Sequence, residues 1–153
     1  MRFKNRVDAA EQLVQQMSKY KNTDAVVLAI PRGGLPLGKV IAETLQLPLD
    51  IVLSKKLSHP MQREYAIGAV SLQGRILEDV DEVADKYIEE ETVRVRQILT
   101  DRYKVYYEGR LPISVYGKTA IIVDDGIATG LTLLSTIALV HQQGPSQIVV
   151  AIP

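Results

Sequence analysis

Four short apolar runs constrain this chain more than anything else in it. They are "AVVLAI" (Ala25 to Ile30), "LDIVLS" (Leu49 to Ser54), "KTAIIVDD" (Lys118 to Asp125) and "SQIVVAIP", with which the sequence ends. Each has the length of a strand, and runs without polar alternation suit strands covered on both faces, as in a parallel sheet. Between them the spacing becomes helical. Phe3, Val7, Ala10, Val14 and Met17 mark one helical face before the first run, and Leu37, Val40, Ile41, Thr44 and Leu45 mark another after it. Leu134, Ile137, Ala138 and His141 mark a third, closed by Gly144 and Pro145. Strands alternating with helices predict an α/β fold, a Rossmann-like and mainly parallel sheet flanked by helices.

The middle of the chain departs from that rhythm. "SKKLSHPMQRE" is polar and interrupted by proline, which predicts a long loop over about 55–64. "YAIGAVSL" and "GRILED" then suit a short hairpin. A long helix over about 83–107 follows, with Ala84, Ile88, Thr92, Val95, Leu99, Tyr103 and Tyr106 as its apolar stripe and a charged, solvated outer face. No repeat or low-complexity linker divides the 153 residues, so a single domain spanning 1–153 is expected.

Composition removes several classes of function. Eighteen basic residues balance eighteen acidic ones, and there is one Phe and no Trp, which disfavours a nucleic-acid or membrane-surface binder despite seven tyrosines. The absence of cysteine excludes disulfides, thiolate metal sites and a cysteine nucleophile. His59 and His141 are too few for a histidine-rich metal centre. His59 reads as a loop side chain, and His141 as a packing residue or a contact to a helix C-terminus. The start, "MRFKNRVDAAEQL", has no apolar signal core, and no segment approaches the roughly 20 apolar residues of a membrane span. A soluble cytoplasmic protein is expected.

In open parallel sheets, ligands bind beyond the carboxyl ends of the strands. Two loops at such ends stand out, "PRGG" (Pro31 to Gly34) and "DDGIATG" (Asp124 to Gly130). In the second, Gly126 and Gly130 permit close backbone approach, Thr129 and Thr132 offer hydroxyls, and the helix that follows presents unpaired N–H groups at its positive end. A phosphate suits that cradle. The Gly-Lys-Ser/Thr of a Walker loop and the dinucleotide G-x-G-x-x-G are both absent. Asp124 and Asp125 would repel a phosphate beside them, so they suit neighbouring hydroxyls or a metal ion. A phosphate close to a vicinal diol describes a ribose 5-phosphate. An ordinary strand-to-helix turn with a capping Asp is the competing reading, as an ordinary tight turn is for "PRGG".

The order of residues from Ala120 to Thr132 resembles the phosphoribosyl pyrophosphate signature of the type I phosphoribosyltransferases. It departs at Gly126, where that family usually has an apolar residue or Ser. The resemblance implies the type I phosphoribosyltransferase fold, with a hairpin, a flexible loop and a long helix inserted. It implies that Asp124 and Asp125 bind the ribose hydroxyls and that Ala128, Thr129, Gly130 and Thr132 hold the 5-phosphate, with Gly126 and Ile127 shaping the loop. "PRGG" occupies the place of the family's pyrophosphate loop, so Arg32 would be its cation and Gly33 and Gly34 would permit the turn. Lys55 or Lys56 looks like the basic pair that meets pyrophosphate oxygens at the mobile loop. The resemblance is closer still to a branch with an N-terminal F-x-x-R-x-x-A helix, here Phe3, Arg6 and Ala9, followed by "LAIPRGGLPLG", "LDIVLSKKL" and "AIGAV". Members usually run tens of residues past the position of Pro153, with at least one further strand that in many of them helps bind the base.

Such a protein is expected to use Mg2+, with Asp124 and Asp125 as direct or indirect ligands, and to move phosphoribose from phosphoribosyl pyrophosphate to a nitrogenous base. Type I members are commonly homodimers. Two other readings stand beside the enzyme: a regulatory protein that keeps the phosphoribosyl site without turnover, and a different phosphate-ester enzyme or binder on a similar sheet.

Overall fold

The computed structural model describes residues 2–78, 80–128 and 130–153. Its main sheet holds β1 (Val26–Ala29), β2 (Leu49–Ile51), β6 (Thr119–Val123) and β7 (Gln147–Ala151), ordered β2-β1-β6-β7 and parallel throughout. Its α-helices are α1 (Arg6–Gln15), which precedes β1, and α2 (Gly34–Leu45), α3 (Asp85–Tyr106) and α4 (Leu131–His141) between strands. Every residue of β1 is buried because successive side chains enter different cores. Val27, with Ile121 and Val123 of β6, packs on Leu37, Ile41 and Leu45 of α2. Val26 and Leu28, with Ala120 and Ile122, pack on Val140 of α4. Coverage of both faces is the physical reason these strands carry no polar alternation.

Beyond β2 the chain leaves that sheet. β3 (Ser54–Ser58), β4 (Ala66–Ser71) and β5 (Arg75–Leu77) form a separate antiparallel sheet, ordered β3-β4-β5. The loop expected from Lys55 therefore begins later. Lys55 and Lys56 lie in β3, paired with Val70 and Ala69, and His59 N–H donates to the Tyr65 carbonyl at 2.8 Å to close the hairpin. The segment reads as a loop because only Leu57 of "SKKLS" is buried, so one apolar residue is all the strand needs. The expected hairpin after it is β4 and β5. α3 covers this sheet with Ile88, Val95, Leu99 and Tyr103, which meet Leu57, Ile67 and Val70. No helix among the described residues is long and apolar enough to cross a membrane.

The helix α4 forms where expected, but its buried face is different. Thr136, Leu139 and Val140 are buried, whereas Leu134 is 63% exposed and His141 is exposed in the last turn. Leu131, Leu133, Leu134, Ile137, Ala138, Leu139 and Val140 make the helix apolar nearly all round. Periodicity then selects no face.

Candidate functional site

The strand order fixes the site's location. From β1 the chain steps outward through α2 to β2, whereas from β6 it steps the other way through α4 to β7. The loops leaving β1 and β6 thus flank the point where the sheet's connection reverses, the usual crevice for ligands in such folds. The strands are paired Val26 with Ala120 through Ala29 with Val123, and Ile30 N–H donates to the Val123 carbonyl at 2.9 Å. Both loops start at one level.

Close contact holds them together. Gly34 opens α2 directly over the end of β6: a Cβ there would stand 2.4 Å from the Val123 carbonyl oxygen. A Cβ on Gly33 would stand 2.4 Å from the Asp125 carboxyl. The Pro31–Arg32 peptide bond is cis. Gly130 caps α4 with φ +81°, a left-handed conformation that glycine adopts without the clash a side chain brings.

Two clefts meet here. One, of about 320 Å3, is lined by Gly33 and by Asp124, Asp125, Gly126, Ile127, Ala128, Gly130 and Thr132. The other, of about 400 Å3, is lined by Arg32 and by residues of the β2 end and of α3. Ile30, Pro31 and Thr132 border both. The structure therefore gathers most of the residues singled out in the sequence. Thr129 lies outside the described residues. Lys55 and Lys56 line neither cleft; they sit on β3, and Lys55 is close enough to Glu91 of α3 to help hold that carboxyl below its usual range, a minor influence beside that of Arg94.

The paired acids differ. Asp124 is partly buried, which pushes its carboxyl up, and its Oδ1 accepts the Asp125 N–H at 2.8 Å. Asp125 is exposed, and Arg6 of α1 donates to its Oδ2 through Nε at 3.0 Å and Nη2 at 2.7 Å. That guanidinium holds the Asp125 carboxyl below the ordinary carboxylate range. Arg6 is the residue that reasoning from loop composition passes over. It lies 119 residues away in sequence, and its one signal is its place in the N-terminal F-x-x-R-x-x-A pattern.

Arg6→Ala removes this partner. A carboxyl whose folded pKa is lowered contributes stability above the unfolded value of ~3.9, and loses it as pH falls through the folded value. The pair is open to solvent, with side chains 59% and 33% exposed, so its contribution is about 0.5 kcal/mol. Urea denaturation in low salt with a chelator should show Arg6→Ala less stable by that amount at neutral pH. The two proteins should converge once the pH falls below both carboxyl values.

The phosphoribosyl transferase domain family matches residues 2–153 of the chain. The chain belongs to that family. A Mycobacterium tuberculosis (strain H37Rv) protein with a provisional phosphoribosyl transferase name is 36% identical over 159 aligned residues, which take in 99% of this chain and 35% of that protein. The chain thus spans about a third of the length of the curated relatives it matches. The crystal structure of TT1426 from Thermus thermophilus superposes with a TM-score of 0.84 at 35% identity, covering 100% of this chain and 75% of that one. A purine phosphoribosyltransferase from Pyrococcus horikoshii shares the fold, with a TM-score of 0.55 at 19% identity over 96% of this chain and 70% of that one. In fold the chain is like these proteins, an α/β chain with a parallel sheet flanked by helices.

Proposed function

We propose that residues 1–153 act as one phosphoribosyltransferase domain that takes phosphoribosyl pyrophosphate and transfers its phosphoribose to a nitrogenous base, releasing pyrophosphate. The observation that carries this is the joining of two unlike loops around one cleft: paired carboxylates at the end of β6 share it with Gly126, Ile127, Ala128, Gly130 and Thr132 of the helix-opening loop and with Pro31 and Gly33 of the turn after β1. Phosphate and diol need opposite chemistry, and the cleft offers both.

In this reading the N-terminal N–H groups of α4 and the loop from Ala128 to Thr132 receive the 5-phosphate. Asp124 and Asp125 accept the ribose hydroxyls, Asp125 with Arg6 sharing its Oδ2. Arg32 faces the diphosphate. The acceptor nitrogen replaces pyrophosphate at the anomeric carbon, and positive charge grows on the sugar ring as the bond to the leaving oxygen lengthens. The two carboxylates on the ribose side stabilise that charge through space. The domain otherwise works by positioning the reacting groups and neutralising the leaving group.

Oxygen donors suit the divalent ion such a reaction takes. Mg2+ accepts one or two carboxylates together with substrate phosphates and water, and Asp124 and Asp125 line the cleft as such a pair. When bound, the ion would neutralise diphosphate charge, with these two carboxylates holding it directly or through water.

Thermal shift with phosphoribosyl pyrophosphate and Mg2+, ribose 5-phosphate and a panel of nucleoside monophosphates tests the reading. A ligand present at about 100 times its Kd stabilises the fold by about 2.7 kcal/mol. Phosphoribosyl pyrophosphate is expected to raise the melting temperature by several degrees, and the monophosphate that stabilises best identifies the base. Isotope exchange between pyrophosphate and phosphoribosyl pyrophosphate with that base should then show turnover. Binding without turnover of any base would place the chain among non-catalytic phosphoribosyl-binding regulators, and no stabilisation by any of these ligands sinks the proposal.

A further inference from the structure

We propose that Arg102, on α3, is a second cation for the leaving diphosphate, facing Arg32 across the 400 Å3 cleft. The inference rests on the phosphoribosyl reading above and adds to it a residue from an element that no loop signature includes. That cleft is walled by the turn after β1, by Val52 and Leu53 just past β2, by Ser54 at the start of β3, and by Arg102, Val105 and Tyr106 of α3. It meets the phosphoribosyl cleft along Ile30, Pro31 and Thr132.

Its chemistry is one-sided. Among the described residues no Asp or Glu lines it, whereas Arg32, Arg102 and the hydroxyl-bearing residues Ser54, Tyr106 and Thr132 do. Neither guanidinium takes part in an ion pair among the described residues; the arginines that do are Arg6, Arg75 and Arg94. Two such arginines on one cleft repel each other until an anion comes between them, and guanidinium groups match the paired oxygens of a phosphate. The neighbouring cleft holds the acids, so negative charge is drawn to the Arg32 side and the sugar's hydroxyls to the other.

α3 is held so that it can serve. Arg102 and Tyr106 are four residues apart and share a helix face. The adjacent Tyr103 donates its hydroxyl to buried Asp50 at 2.9 Å, which fixes the rotation of this turn against β2. Lys55 and Lys56, the residues a sequence reading assigns to this task, lie outside the cleft.

The test is calorimetric titration of the full chain with inorganic pyrophosphate and, separately, with ribose 5-phosphate, each with Mg2+, for wild type, Arg102→Gln and Arg102→Lys. Losing a charged hydrogen-bond donor should weaken pyrophosphate binding about tenfold or more in Arg102→Gln. Arg102→Lys should recover part of the loss, and ribose 5-phosphate affinity should stay within about twofold, since its phosphate sits at α4. Arg102→Gln that binds pyrophosphate as wild type does overturns the inference, and so does an equal weakening of both ligands. If wild type binds ribose 5-phosphate but not pyrophosphate, the inference fails while the ribose reading stands. If it binds neither, both fall.

Discussion

Asp124→Asn combined with Asp125→Asn is expected to weaken phosphoribosyl pyrophosphate binding by roughly a hundred- to a thousandfold while leaving the protein folded. Hydrogen bonds to a charged partner are worth about 1.5–3 kcal/mol each, and tenfold in affinity is about 1.4 kcal/mol. Weakening the hydrogen bonds to both ribose hydroxyls at once therefore reaches that range even before any effect on a bound cation. Asn keeps the shape of Asp, so the close approach of Gly33 to residue 125 is undisturbed. The fold loses the Arg6–Asp125 pair, an exposed interaction worth only ~0.5 kcal/mol. Calorimetric titration with ribose 5-phosphate and with inorganic pyrophosphate separates the contributions. The first should weaken by a comparable factor, and the second should weaken far less, because its proposed cations are on the other cleft. Unchanged affinity for ribose 5-phosphate would remove the carboxylates from the site.

What the sequence makes legible here is local chemistry. A strand buried on both faces has to be an unbroken apolar run, so β1 and β6 are visible in it. A turn needing a left-handed residue or a backbone within 2.4 Å of a would-be Cβ has to be glycine, so the two loops are visible too. The remainder depends on partners distant in sequence. β3 buries a single residue and takes its stability from backbone pairing with β4, so its composition is that of a loop. α4 is apolar on most sides, and only the sheet decides which side is inward. Arg6 meets Asp125 from the opposite end of the chain. Arg102 reads as the wet side of a charged helix, and Tyr106 as the last residue of its apolar stripe; only the docking of α3 beside the end of β2 puts both on a cleft. A charged residue on an outer face looks the same in sequence whether it meets water or a ligand.

That docking has a polar tie inside β2, besides its apolar contacts, and Asp50→Ala should strongly destabilise the fold. Asp50 is 2% exposed in a strand of otherwise apolar character. Its Oδ1 accepts the Tyr103 hydroxyl at 2.9 Å and the Ile51 N–H at 2.8 Å, and its Oδ2 accepts the Ile113 N–H at 2.7 Å. One carboxylate thus ties α3 and the segment leading into β6 to the sheet. Burial, reinforced by the Asp50 carboxylate, pushes the Tyr103 phenol well above its ordinary value, so it stays a donor throughout the working pH range. Truncation to Ala leaves three donors without an acceptor, at about 1–3 kcal/mol each where water cannot reach them. A loss on the order of 3–5 kcal/mol follows, after the site relaxes and admits some solvent. The urea midpoint should fall by roughly 1–2 M. Tyr103→Phe deletes one donor and leaves the carboxylate its other partners, so it should cost only about 1 kcal/mol. If the two variants prove equally stable, the carboxylate is not the tie. Arg102 precedes Tyr103 directly, so Asp50→Ala that remains folded at low temperature should also lose pyrophosphate affinity while Tyr103→Phe loses less. The same carboxylate that holds the helix down aims its arginine.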